Sequence, residues 1–267
     1  MASPEHSALL ISLILLSLLS ACGGRGARDS APGSNSVPGG VPPDAVPRNE
    51  PTSKYGNGPI YEVLGVSYQV LASSNGYQER GVASWYGQKF HGQPTSSREP
   101  YNMYAMTAAH RTLPLPTYVQ VRNLRNNKVV VVRVNDRGPF VDNRIIDLSY
   151  SAALKLDMIK DGTSLVEVTA LSVDDPPRYA RQGASEQTTD ASVFVQVGAF
   201  GDADNARRRF ALLRDGGIGK AFVHEDHSSQ QTLYRVRIGP IANVNQYDSL
   251  VVELTRLGIF DPHLVTE

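Results

Sequence analysis

The sequence predicts a mixed fold, in which a small β-barrel over residues 55–173 precedes an α+β split β-α-β domain over 191–267, with flexible linkers between and before them. Three observations predict it. First, short strand-like runs dominate from Tyr55 to Val173, among them GVASWYG, TYVQVRNL, VVVVRVN and LVEVTALSV, each bounded by turn residues. Many short strands with few helices argue a barrel, with its core from about residue 80. Second, the last segment repeats itself. QVGAF at 196–200 and RIGPI at 237–241 each close a strand and lead into a helix, and the same offset pairs Phe210 with Val251, Leu213 with Leu254 and Gly217 with Gly258. Third, Gly-, Pro- and Ser-rich stretches at 22–54 and 174–190 lack the apolar residues to build a core.

The elements follow in order. Ala8 to Leu19 is an apolar run too short to span a membrane, which needs about 20 residues, and it fits the core of a signal peptide over 1–21. It leads into Leu19-Ser20-Ala21-Cys22, which resembles the lipobox of bacterial lipoproteins. Cys22 is the only cysteine of the chain, so it cannot close an internal disulfide, and lipidation accounts for both its position and its solitude. The segment before the apolar run carries Glu5 and His6 but no Lys or Arg, a departure from the usual positive start. Residues 22–54 then read as a tether. About thirty flexible residues span on the order of 30 Å root-mean-square and up to about 100 Å when extended.

Within the barrel region, Val129 to Val134 is a β-branched run that reads as a core strand, stopped by Gly138-Pro139. Asn135, Asp136 and Arg137 fall where that strand delivers the chain to a rim, either as a turn or as a site. SYSAALKL is the clearest short helix, with Ser149 placed as N-cap and Ala152, Ala153 and Leu156 able to face a core. In the last domain Asp202 is placed as an N-cap, with Ala206, Phe210 and Leu213 on one helix face. Tyr247, Leu250, Val251, Leu254 and Leu257 line the second helix, and Gly258 stands in the C′ place. Strands around Ala221–His224 and at Leu264 complete strand-helix-strand twice over. Strand alternation sends Val193, Val195 and Val197 toward the helices and leaves Phe194 and Gln196 on the open sheet face, with Leu233, Arg235 and Arg237 beside them.

The 267 residues carry 26 basic and 26 acidic side chains, so net charge favours neither nucleic acid nor an acidic partner. The open sheet lacks the stacking aromatics of RNA-binding sheets, and export separates the chain from RNA. No Cys/His cluster has metal-ligand spacing, so neither metal nor cofactor is expected. Ser96, His110 and Asp136 do not form a nucleophile elbow.

Two linked stretches, 81–124 and 129–156, strongly resemble the rare lipoprotein A family of endolytic peptidoglycan lytic transglycosylases, through Trp85-Tyr86-Gly87, Phe90-His91-Gly92, Thr107-Ala108-Ala109-His110 and Asn135-Asp136-Arg137-Gly138-Pro139. The resemblance implies a double-psi β-barrel, and the terminal repeat resembles the SPOR domain. It implies Asp136, Glu99 and His110 as catalytic residues, with Asp136 as acid/base and Glu99 as stabiliser. It implies Gln196, Ala199, Leu233, Arg235 and Leu264 as glycan-binding positions. One departure stands out: Ser97-Arg98 replaces the family's Asn-Gly. That pair favours positive φ, which Arg adopts only at a cost, so either the turn differs or Arg98 is recruited to the groove. The expected activity is cleavage of glycan strands lacking stem peptides to give 1,6-anhydro-muramyl ends, at the septum, by a lipoprotein of the outer membrane facing the periplasm. Divisome proteins are further possible partners. The alternative is a non-catalytic septal binder of peptidoglycan. A histidine at a strand edge is also often a structural hydrogen-bonder, which leaves His110 open between two roles.

Overall fold

Stiff β-branched runs that alternate inward and outward give six strands that close on themselves. In the computed structural model, which describes residues 31–32, 37–173, 192–228 and 231–267, these are β3 (Gln78–Trp85), β4 (Thr107–His110), β5 (Thr117–Asn123), β6 (Val129–Asp136), β7 (Arg144–Leu148) and β8 (Ser164–Ala170). They form a closed barrel in the order β3-β7-β4-β6-β5-β8. Closure leaves no free edge within the barrel wall. Val119, Val121, Val130, Val132, Val134, Val166 and Val168 are fully buried inside it. Helix α1 (Tyr150–Lys155) adds Ala152 and Ala153 to the same core, and the Ser149 hydroxyl caps it by accepting from the Ala152 amide, as the sequence predicts. Before the barrel, β1 (Ile60–Val63) and β2 (Val66–Gln69) form a hairpin. Cys22, the signal segment, residues 22–30 and 33–36 of the expected tether and the linker 174–190 lie outside the described residues.

The later part of the expected tether is not free. Ala45 donates its amide to the Val131 carbonyl at 3.0 Å, and the Val131 amide donates to Asp44 at 3.0 Å. Lys155 pairs with Asp44 at 2.6 Å and Arg133 with Glu50 at 2.7 Å. A polar segment without a core of its own is thus held by the outer wall of the barrel, because its carboxylates find cations there. Composition could not report those partners.

The last domain is a four-stranded antiparallel sheet in the order β10-β11-β9-β12, made of β9 (Val193–Phe200), β10 (Ala221–Asp226), β11 (Leu233–Ile238) and β12 (His263–Thr266). Helices α2 (Ala203–Asp215) and α3 (Val244–Arg256) contribute Ala206, Leu213, Tyr247, Leu250 and Leu254 to one buried cluster with Val193, Val195, Val197, Val236 and Ile238. This is the predicted split β-α-β arrangement. The domain touches the barrel: Val82, Leu124 and Leu165 join its buried cluster, and Arg144 reaches Asp248 at 3.3 Å.

Candidate active site

Parallel pairing of β4 with β6 and antiparallel pairing of β4 with β7 put Ala109 opposite two aspartates. Asp136 is its partner on one side and Asp147 on the other. Ala109 is the small residue between them, and a side chain added at nearby Gly138 would meet Ala109 and the Asp147 carboxylate at 3.8 Å each. The barrel therefore carries two carboxylates on neighbouring strands with little bulk between.

Asp136 is oriented through one oxygen. Its Oδ1 accepts from the Ser96 amide and the Ser96 hydroxyl, each at 2.8 Å, and from the Arg137 amide at 2.7 Å. Among the described residues Oδ2 accepts no hydrogen bond, so it is the oxygen still free to accept one. Arg137 is not exposed, as a turn residue would be. Its guanidinium donates to the carbonyls of Gly56 (2.8 Å), His110 (3.1 Å) and Leu113, and to Asn57 (3.1 Å). It thereby ties residues 56–57 and the end of β4 to the rim that holds Asp136.

Asp147 is the residue that sequence reasoning missed. It sits in a strand that reads RIIDL, where one polar residue among apolar ones looks like ordinary alternation. The available signal was that a carboxylate in a largely buried strand needs a reason. Burial raises its carboxyl above the ordinary value, and the charge of Asp136 adds to this, while the hydrogen bond from Ser84 and the charges of Arg144 and Arg111 oppose it. A carboxyl held protonated to higher pH is suited to donate a proton.

Glu99 is placed differently. Arg133 and Asn135 lie two apart on one face of β6, and both reach it: Arg133 donates to Oε2 at 2.8 Å and Oε1 at 3.0 Å, and Asn135 donates to Oε2 at 2.8 Å. Partial burial raises Glu99, but the bonds from Arg133 and Asn135 outweigh it, and the carboxyl lies below its ordinary value. The ionised form of Glu99 is therefore the favoured one. Arg133 also grips Glu50, so one guanidinium joins the N-terminal segment to the Glu99 turn. Arg98 does adopt the left-handed conformation, at φ +73°, and its amide donates to the Thr95 carbonyl at 2.9 Å. The turn survives the replacement of glycine, and the Arg98 guanidinium lies over the Tyr55 ring at 5.3 Å.

His110 is brought near the site but is closed off from a ligand, being 2% exposed. Its Nδ1 accepts the amides of Thr112 (3.2 Å) and Leu113 (3.1 Å), which leaves the proton on Nε2, facing the Tyr77 hydroxyl at 2.8 Å. Burial, reinforced by Arg111 and Arg137, lowers it to about 3, so the ring is neutral at physiological pH. Two backbone donors thus occupy the Nδ1 lone pair, the arrangement of a histidine that holds its own loop. Tyr86 stacks on Tyr101 at 4.0 Å, and burial followed by Tyr101, Asp136 and Asp147 holds its phenol well above the ordinary value. Its buried hydroxyl has no partner among the described residues. Trp85 packs edge-on against Tyr150.

On the open face of the last domain, Gln196 stands opposite Arg237 and Ala199 opposite Arg235. Arg235 pairs with Asp226 at 2.7 Å. Arg237 donates to Gln196 at 3.3 Å and to Glu267, and is mostly buried by that arrangement. Leu233 keeps its place opposite Asp226 on this face. Leu264 does not belong here. It pairs with Val195 and is 4% exposed within the helix-facing core, so strand alternation turns its neighbours His263 and Val265 to the open side instead.

Comparison with known proteins agrees with this architecture. A family model described as lytic transglycolase matches residues 78–168, and one for the SPOR domain matches 189–266. The endolytic peptidoglycan transglycosylase RlpA of Vibrio cholerae serotype O1 is 45% identical over 215 residues, covering 80% of this chain and 79% of that protein. The protein of the same name from Pseudomonas aeruginosa strain UCBPP-PA14 is 34% identical over 84% of this chain and 80% of its own length. The crystal structure of the RlpA SPOR domain from Pseudomonas aeruginosa matches 27% of this chain and 96% of that one, at 30% identity and a TM-score of 0.26.

Proposed function

Because the chain belongs to the RlpA family of endolytic peptidoglycan transglycosylases, we propose that Asp147 and Asp136 together perform the cleavage, on glycan strands stripped of stem peptides. The observation that carries this reading is the register that sets both carboxylates beside Ala109, one of them raised by burial. Asp147 donates its proton to the glycosidic oxygen as the bond to the muramic C1 breaks. Positive charge then develops at C1, and the free Oδ2 of Asp136 stabilises it. The muramic C6 hydroxyl closes on C1, and its proton returns to the Asp147 carboxylate. The product is a 1,6-anhydro-muramyl end. No water enters, and the acid is regenerated.

Glu99, Arg133 and Asn135 hold the turn that supplies Ser96 to Asp136, and His110 holds the far end of β4. In this reading the three residues expected to be catalytic divide into one that meets substrate, Asp136, and two that position it. The last domain binds glycan through Gln196, Ala199, Leu233 and Arg235, with His263 and Val265 on the strand where Leu264 was expected. Lipidation at Cys22 anchors the protein in the outer membrane, facing the periplasm, and the SPOR domain brings it to the division septum. The test is mass spectrometry of muropeptides released from peptide-free peptidoglycan. Anhydro-muramyl ends are the expected product; reducing muramic ends, or no release, would overturn the assignment.

A further inference from the structure

Two register shifts converge on the rim that holds the aspartates. Along β3 and β7, Val82 stands opposite Arg144 but Ala83 opposite Ile146, so β7 carries one extra residue there. An unbroken register would set Ser84 opposite Ile146; the shift sets it opposite Asp147. Along β4 and β6, Ala108 stands opposite Val134 but Ala109 opposite Asp136, where an unbroken register would bring Asn135. Bulges of this kind re-aim side chains. Together they line up Ser84, Asp147, Ala109 and Asp136 across the neighbouring strands β3-β7-β4-β6.

The Ser84 hydroxyl donates to Oδ1 of Asp147, and among the described residues neither side chain has another hydrogen-bond partner. Oδ2 lies elsewhere. It is 3.8 Å from the point where a Cβ on Gly138 would stand, and the Ala109 Cβ is 3.8 Å from the same point. Gly138 has φ +137°, a conformation that side chains rarely adopt, so that gap stays open. A neutral carboxyl that accepts through Oδ1 carries its proton on Oδ2. Resting on the catalytic reading above, we propose that Ser84 is a positioning residue for the cleavage: by holding Oδ1 of Asp147 it keeps the proton-bearing Oδ2 turned into the gap beside Ala109 and Gly138, where the glycosidic oxygen is received. Ser84 acts only through Asp147. An aspartate carboxyl pivots over a broad range when nothing holds it, and a reacting group misplaced by about 1 Å loses on the order of 10²-fold in rate.

The experiment uses the full chain, as parent, Ser84→Ala, Ser84→Cys, Ser84→Thr, Asp147→Asn and the Ser84→Ala/Asp147→Asn double variant, on amidase-stripped glycan strands. Initial rates of anhydro-ended product are read by mass spectrometry, and melting curves report folding. Ser84→Ala should lower kcat by roughly 10- to 100-fold and leave KM within about twofold, because the hydroxyl serves proton transfer and not binding. Ser84→Cys keeps the shape with a weak donor and should fall in the same direction, so the test does not depend on the alanine variant folding. Ser84→Thr keeps a hydroxyl on a side chain suited to a strand and should restore most of kcat. The double variant should be no slower than Asp147→Asn alone, since nothing is left to orient. If Asp147→Asn is impaired while folded Ser84→Ala or Ser84→Cys keeps the parent's kcat, the inference falls and the catalytic reading stands. A defect that appears in KM, or that multiplies in the double variant, overturns the inference in the same way. An Asp147→Asn chain that keeps the parent's kcat overturns the catalytic reading, and this inference with it.

Discussion

Replacing Arg133 with methionine should destabilise the barrel by about 3 kcal/mol at pH 7, and the loss should shrink as the solution is acidified. The side chain makes five hydrogen bonds of 3.2 Å or less, three to Glu50 and two to Glu99. The Glu50 fork is the more buried, with side chains 17% and 22% exposed. A charged hydrogen-bonded pair in that setting contributes roughly 2 kcal/mol. Glu99 is 43% exposed, so its fork is discounted for solvent screening to about 1 kcal/mol. Methionine keeps most of the stem's packing, which isolates the charge. Both carboxyls lie below their ordinary value in the folded chain, Glu50 chiefly through its bonds from Arg133 and Glu99 through bonds that outweigh its burial. Depressed folded values mean that the stabilisation is present above the unfolded glutamate value, 4.5, and is lost as pH falls through the folded values. Denaturant titrations of parent and variant at pH 7, 5, 4 and 3 should therefore converge toward the acid end. A gap that stays constant from pH 7 to pH 3, or one below about 0.5 kcal/mol at pH 7, would refute the reasoning.

Other outcomes follow from the same geometry. Asp147→Asn and Asp136→Asn should each lower the rate of anhydro-end release by about 10²- to 10⁴-fold, the range for removing a positioned acid or its partner. Because the Asp147 carboxyl is raised in the folded state, ionising it costs stability, and that cost appears as pH rises through its folded value; Asp147→Asn should therefore melt no lower than the parent at pH 7. The His110 ring should show no NMR titration between pH 5 and 8, since its value lies at about 3; a midpoint near the ordinary histidine value would mean that the two amides do not hold Nδ1. Leu264→Ala should cost about 2–4 kcal/mol, as for a buried leucine in a packed core, when the domain is unfolded in urea. A Cys22→Ser chain that still sediments with the outer membrane would exclude lipidation as the anchor.

The amino-acid sequence by itself determined the order of elements and the faces they bury. Valine runs, the Ser149 and Asp202 caps and the apolar spacing of the last two helices are local or periodic properties, and each is read within a few residues of where it acts. The motif Asn135-Asp136-Arg137-Gly138-Pro139 likewise marked a rim. What the sequence could not decide was which side chains meet. Asp147 gains its meaning from a parallel pairing of β4 with β6 and an antiparallel pairing of β4 with β7, which set it across Ala109 from Asp136 although eleven positions of chain separate the two. His110 loses its freedom to two backbone amides of the loop that follows, and Leu264 turns inward because a register, not a motif, fixes its face. The 37–53 segment reads as unstructured by composition and is held by Lys155 and Arg133, two cations from distant strands and helices. Periodicity records the distance between neighbours along the chain, whereas charge, burial and hydrogen bonding depend on neighbours in space, and only the closed barrel assigns those.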